Sequence, residues 1–145
     1  MVISKERQKI KIRLNDTEIE QVTEYIYLGT IIEENGQYEG EINSRISAAA
    51  RLYMSMRNGF INKKEISRKT KMNIYKSIYL PTLLYGSESW ILTEKQKSKL
   101  QAAEMKYLRR VTGNTRLDRI RNVEIRKQLD IKSVQTKDIY LVRPY

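Results

Sequence analysis

Seven glutamates, Glu18, Glu20, Glu24, Glu33, Glu34, Glu39 and Glu41, crowd one stretch near the start of the chain. Paired carboxylates could hold Mg²⁺ for phosphoryl transfer or divide acid and base roles. The spacing supports neither. Alternation puts Glu18 and Glu20 on the polar face of a hairpin, which is the pattern of a wet strand face. No Asp-Asp pair follows a strand, so no two-metal site is evident. Gly29, Gly36 and Gly40 do not match the spacing of a phosphate-cradling loop. The chain has no Cys and no His. Disulfides, Cys/His zinc sites and catalysis by thiolate or imidazole are thereby excluded. No catalytic residue and no metal ligand is assigned. The 10 tyrosines could stack on bases, but most fall at core-spaced helical positions, where packing is the better reading.

The cations are more informative. Residues 1–44 carry 5 Lys/Arg against 9 Asp/Glu, whereas residues 45–145 carry 23 against 8, so a net of −4 gives way to +15. A basic surface of that size suits a polyanion, nucleic acid above all. Lys95, Lys99, Lys106, Arg109 and Arg110 converge within an arc of roughly 100° on one helix, at about 100° per residue. They are the candidate nucleic-acid-binding residues. Arg45, Arg51 and Arg57 scatter around an earlier helix and read as solvated charges. Arg116, Arg119, Arg121, Arg126 and Lys127 extend the basic character beyond Gly113.

These side chains need elements to hold them. At 145 residues, with 40% hydrophobic residues, the chain can bury one real core but hardly two. Lys9–Leu14 alternates strictly and predicts a strand with Ile10, Ile12 and Leu14 inward. Asn15-Asp16 is a turn signal, with Thr17–Glu20 as the returning partner. Tyr25–Ile32 alternates with both faces apolar, the pattern of a strand covered on two sides. Gly29 within it would admit a close neighbour. Asn35-Gly36 ends the β region.

A first helix is predicted over about Tyr38–Asn58. Ile42, Ile46, Ala49, Tyr53, Met56 and Phe60 form its apolar stripe, and Gly59 is its stop. Ser67 can cap a second helix, with Met72, Ile74, Tyr75, Ile78 and Tyr79 as its apolar face. Pro81 forces a kink or restart. Leu80–Leu92, which holds the one Trp, is expected at the centre of the helical core, with Gly86 at a close approach. Thr93 and Gln96 form a capping box for a third helix ending near Thr112, stopped by Gly113. Its core-facing arc comprises Leu100, Ala103, Tyr107, Leu108 and Val111. Asn122 can cap a short helix through Leu129 and Ser133 another. Leu141–Tyr145 suggests no structure.

Four segments also resemble a known family. Tyr25-x-Tyr27-Leu28-Gly29-Thr30-Ile31-Ile32, followed by Asn35-Gly36, is similar to the Tyr-Leu-Gly hairpin of non-LTR (LINE-type) retrotransposon reverse transcriptases. Leu80-Pro81-Thr82-Leu83-Leu84-Tyr85-Gly86-Ser87-Glu88-Ser89-Trp90-Ile91-Leu92 resembles that family's L-x-x-L-L-Y-G-x-E-x-W-x-L signature. Glu104–Gly113 resembles its E-x-x-x-L-R-R-I-x-G, and Asp118–Ile125 its D-R-x-x-N-x-E-I. The four occur in the family's order and cover about Val2–Val134.

The resemblance implies that Tyr27, Leu28 and Gly29 are primer-grip-like, at the edge of a palm, and that the helices after them are a thumb that holds template–primer duplex. The family's catalytic aspartates sit in a Tyr/Phe-x-Asp-Asp motif just upstream. That motif, the fingers and the endonuclease domain are missing here, and the Lys137–Tyr145 tail departs from the family pattern. The piece thus resembles a fragment of an endonuclease–reverse transcriptase polyprotein.

The expected fold is α+β, mostly α: an N-terminal β-hairpin or small antiparallel sheet, then a thumb-like bundle of four to five helices. Residues 1–36 would be the hairpin remnant of the palm edge, 37–113 the helical thumb-like domain, and 114–145 a short basic helical tail. The expected function is non-specific grip on the backbone of RNA–DNA or DNA duplex, without polymerase activity from this chain alone. No cofactor is expected, Mg²⁺ belonging to the parent enzyme only. No membrane partner is expected, and the location is intracellular, cytoplasm or nucleus. Two other readings remain open at this point: a free-standing basic helical nucleic-acid-binding module, and a helical protein-interaction domain whose charge is incidental.

Overall fold

A computed structural model describes Ile3, Ser4 and residues 9–131. Among them the chain forms four short strands and then five α-helices, as the α+β expectation has it. Strands β1 (Ile12–Leu14) and β2 (Thr17–Ile19) pair antiparallel across Asn15-Asp16, with Ile12 opposite Ile19. Asn15 takes a positive φ of 55°, which the turn requires and Asn tolerates.

Tyr25–Ile32 is not one strand. It folds on itself as β3 (Glu24–Tyr27) and β4 (Thr30–Glu33), with Tyr27 opposite Thr30. Leu28 and Gly29 make the two-residue connection, with φ of 49° and 81°, the positive pair of a type I′ turn. Gly29 is therefore a turn residue. Nor is the run covered on two sides: every residue of β3 is exposed and those of β4 are half-buried. Ile10, Ile12 and Leu14 likewise face solvent. Two strands per sheet make no second layer, so alternation alone could not bury these faces.

Helix α1 (Glu39–Met56) buries Ile42, Ala49 and Tyr53 from the expected stripe, with Ile46, Met56 and Phe60 partly covered. Gly59 does not stop it. The chain widens into a π-helical turn, Arg57–Ile61, and Ile61 is the buried anchor at its end. Ser67 caps α2 (Arg68–Ile74), its hydroxyl accepting from the Thr70 N–H at 3.1 Å. A second π-helical turn, Tyr75–Tyr79, leads into α3 (Leu80–Leu83). This is how the helix accommodates Pro81, whose ring and missing N–H disrupt the ordinary ladder one turn upstream. The wider turn rotates Ile78 out to solvent, contrary to the sequence pattern.

Past α3 the chain turns at Gly86 (φ 76°), where an added Cβ would meet Thr30 Oγ1 at 3.0 Å. The hairpin and the helical layer touch there. Trp90, at the C-cap of the short 3₁₀ turn Ser87–Ser89, is buried in one core with Leu83 and Leu84. Tyrosines fill much of that core. Tyr79 and Tyr107 lie 4.6 Å apart by ring centroid, Tyr75 and Tyr107 5.6 Å, and Tyr53 meets Tyr107 edge-on at 6.4 Å. Each hydroxyl in the inner trio finds an acceptor: Tyr75 on Glu104, Tyr79 on the Ala103 carbonyl, Tyr107 on the Lys71 carbonyl. Burial drives all three phenol pKa values up, to about 12 for Tyr107 and further for the other two, with the Glu104 charge adding to the effect on Tyr75 and Tyr79.

Helix α4 (Glu94–Val111) runs through this core and packs on α1, α2 and α3. Its capping box is present: Gln96 N–H donates to Thr93 Oγ1 at 3.3 Å and Thr93 N–H to Gln96 Oε1 at 2.9 Å. Gly113, at φ 77°, follows its end. Helix α5 (Asn122–Leu129) packs on α4. Arg121 occupies its N-cap without a side-chain bond, so Asn122 is not the cap; its amide is used by Arg109 instead. The Ser133 cap and the Lys137–Tyr145 segment lie outside the described residues.

Candidate nucleic-acid interface

The Tyr27-Leu28-Gly29 tip is fixed from below by α1. Glu41, fully buried, accepts from the Ile31 N–H at 2.7 Å and from Arg45 Nε at 2.5 Å. Arg45 then donates through Nη2 to the Gly29 carbonyl and lays its guanidinium 4.5 Å from the centroid of the Tyr85 ring. Tyr85 closes the cycle by donating to the Leu28 carbonyl at 3.2 Å. Arg45 is thus not a solvated charge. It is the bolt between the Tyr-Leu-Gly hairpin and the Leu-Leu-Tyr-Gly segment, 57 residues apart. The tip itself projects: Tyr27 and Leu28 stay exposed. A groove of about 1160 Å³ runs beside it, lined among others by Tyr27, Leu28, Lys76, Pro81, Tyr85 and Ser89.

The five cations of α4 reach different ends. Lys99 pairs across the surface with α1, its ammonium 2.7 Å from Glu39; that bond and charge hold the Glu39 carboxyl below its usual range. Arg109 is a clamp. It donates to the Ile120 carbonyl at 3.0 Å and to Asn122 Oδ1 at 2.6 Å. Arg110 Nε donates to Asn62 Oδ1 at 2.9 Å, and Lys106 sits 5.1 Å over the Tyr53 ring. Lys95 is exposed. Arg109 and Arg110 therefore meet only neutral oxygens in these bonds, which orient the guanidinium without cancelling its charge. None of Lys95, Lys106, Arg109 and Arg110 forms an ion pair among the described residues, although the Lys95 charge acts on Glu39 and the Arg109 charge on Asp118.

The loop before α5 is built from the same motif residues. Asp118 accepts from the Thr115 N–H at 2.5 Å and from its hydroxyl at 2.9 Å, and these bonds hold its carboxyl below the usual range. Glu104 and Arg126 pair inside the core at 2.6 Å. The sequence does not single out Glu41, Arg45, Tyr85, Glu104 and Arg126 as a set. One signal was present: Glu104 falls in the middle of the arc defined by Leu100 and Leu108, and an acid there needs a buried partner.

Among the described residues no group of three or more His, Cys, Asp or Glu could hold a metal ion. No helix among them is long and apolar enough to cross a membrane.

No protein-family model matches the chain, and no solved structure matches it. A curated Caenorhabditis elegans protein described as uncharacterized and transposon-derived is 31% identical over 99 residues. The match covers 68% of this chain and 35% of that protein, so the chain spans about a third of the relative's length. This likeness is consistent with a transposon-related origin.

Proposed function

We propose that the chain is the primer-grip hairpin and thumb-like region of a non-LTR retrotransposon reverse transcriptase, and that it holds template–primer duplex by its phosphate backbone. One observation carries the reading. The segments that resemble the family close on each other in two pairs through their own motif residues: Leu28 to Tyr85, and Arg109 to Asn122. Motifs that resemble a family only by chance have no reason to close on each other in space. The transposon-derived relative supports a transposon-related origin.

The role assigned to the surface follows from its charge. Four α4 cations that form no ion pair among the described residues can each displace a condensed counterion from a duplex. The test is fluorescence anisotropy of a labelled RNA–DNA hybrid across a salt series. About four phosphate contacts give a log–log slope of roughly −3 to −4, steeper if further cations join, and the same slope for hybrids of unrelated sequence. A slope near zero, or strong preference for one sequence, would overturn the reading.

A further inference from the structure

The connection between α1 and α2, residues 62–67, and the first turn of α2 carry a charge arrangement that the fold does not use. From Asn62 to Lys71 there are five cations, Lys63, Lys64, Arg68, Lys69 and Lys71, against one acid, Glu65. Helix α2 opens on Arg68 and Lys69 with no acidic residue in its first turn. Cations at a helix start oppose the backbone dipole, so the local electrostatics of the folded chain are unfavourable. Four of the five, Lys63, Lys64, Arg68 and Lys69, are exposed, and none of these four makes an ion pair among the described residues.

The backbone beneath them is nevertheless fixed. The π-helical turn Arg57–Ile61 ends α1, and the N–H groups of Asn62 and Lys63 donate back into it, to Arg57 at 2.9 Å and to Phe60 at 3.2 Å. Lys71, almost wholly buried, donates its ammonium to the Lys63 carbonyl at 2.7 Å. Asn62 accepts from Arg110 of α4 at 2.9 Å. This last bond puts the connection directly beside the end of the α4 basic arc. A rigid mount for unpaired cations lowers the ordering cost of gripping an extended anion.

We infer that the 62–67 connection, through Lys63 and Lys64, is a second contact for a nucleic-acid phosphate backbone, continuous with Lys106 and Arg110 of α4. The inference rests on the backbone-grip reading above. It adds that the footprint is two-sided, a helix and a loop from different parts of the chain. A regularly spaced, stiff duplex can satisfy both at once, whereas a flexible single strand must be ordered to do so.

The same labelled RNA–DNA hybrid tests it, with the whole chain as protein. K63Q/K64Q should lower the magnitude of the log–log salt slope by about two, one for each lost contact, with unchanged circular dichroism because both side chains are exposed. K106Q/R110Q should lower it by a similar amount. K97Q should leave it unchanged, since Lys97 is already engaged by Glu94 at 2.7 Å. If K63Q/K64Q keeps the parent slope while K106Q/R110Q lowers it, the connection is not a contact and the inference is overturned, with the α4 reading intact. If the parent chain shows no salt-dependent binding at all, both are overturned together.

Discussion

Glu104 of α4 and Arg126 of α5 meet carboxylate to guanidinium at 2.6 Å, both buried, although 22 residues separate them in the chain. The Tyr75 hydroxyl adds a third bond, 2.6 Å to Glu104. An ion pair taken out of water repays its desolvation only when its remaining bonds are also made, and this one is buttressed by a phenol from a third element. It fixes α5, and with it the basic loop that precedes α5, onto the tyrosine core.

Breaking that pair should therefore be expensive. R126M leaves a buried carboxylate facing Tyr75 alone and is expected to cost about 3–5 kcal/mol, as removal of one partner of a buried pair does. E104L/R126M removes both charges and should recover much of the loss, short of about 1–3 kcal/mol for the stranded Tyr75 hydroxyl. Urea denaturation followed by circular dichroism reads both. A single variant losing less than about 1 kcal/mol would show that the pair is not part of a closed core.

The tyrosine core sets a limit on alkaline stability. Tyr75, Tyr79 and Tyr107 have pKa values raised in the fold, chiefly by burial. A group raised above its unfolded value contributes stability that is complete below the unfolded value, about 10 for tyrosine. That stability is lost as pH climbs from there towards the folded value. Above pH ~10 each of the three should remove up to about 1.4 kcal/mol per pH unit, so the three together bring on cooperative alkaline unfolding. The check is phenolate absorbance against pH alongside far-ultraviolet dichroism. Three phenols that ionise gradually while the helices persist would contradict it.

What could be read in the sequence was local. Ser67, the Thr93–Gln96 capping box and Gly113 act within one turn of their own position, and each stands where its residue type demands. The hairpin at Leu28-Gly29 is named only by the family resemblance and escapes the residue pattern, because Leu rarely takes a positive φ and the Asn-Gly or Asp-Gly signal is absent. Alternation then read as one strand. A helical wheel shows Arg45 one turn from Glu41 but not its other acceptor, the Gly29 carbonyl, a tertiary partner 16 residues away. The α4 arc was legible as geometry. What each cation touches was not, since Glu39, Asn62 and Asn122 come from three other parts of the chain.

The Glu41–Arg45–Tyr85 cycle makes the two hairpins unequal. β3–β4 is tied to α1 and to Tyr85, while every residue of β1 and β2 is exposed. Hydrogen exchange should be fastest in residues 12–19, slower in 24–33 and slowest in Leu100–Val111. R45A should accelerate exchange in 24–33 alone, by a factor of about ten to a hundred, the equivalent of about 1.5–3 kcal/mol for lost bonds to charged groups. Equal exchange in both hairpins of the parent chain would show that the cycle does not hold the tip.

The chain alone should not extend a primer. Its four aspartates, Asp16, Asp118, Asp130 and Asp138, are never adjacent, and polymerase chemistry needs carboxylate-held metal at the reacting phosphate. Asp118 is also occupied by Thr115. Extension of RNA- or DNA-templated primers with Mg²⁺ or Mn²⁺, abolished by changing any carboxylate of this chain, would be incompatible with a region that only grips.

The α4 arc should divide by what its members touch. Lys99 already has a carboxylate, so K99Q should leave the salt slope for an RNA–DNA hybrid unchanged while loosening the contact between α4 and α1. Lys106 rests on a ring, and the Arg110 guanidinium meets a neutral amide, so each still carries a charge for a phosphate; K106Q and R110Q should each lower the slope magnitude by about one. Arg109 differs again, because its guanidinium holds the loop before α5 through Ile120 and Asn122. R109Q should weaken binding and also destabilise the fold, by about 1.5–3 kcal/mol for lost hydrogen bonds to a charged group. Anisotropy across a salt series, paired with urea melts of the same variants, separates the three behaviours. If K99Q flattened the slope as much as K106Q, the Glu39 pair would be opening to admit a phosphate, and the division of roles along α4 would be wrong.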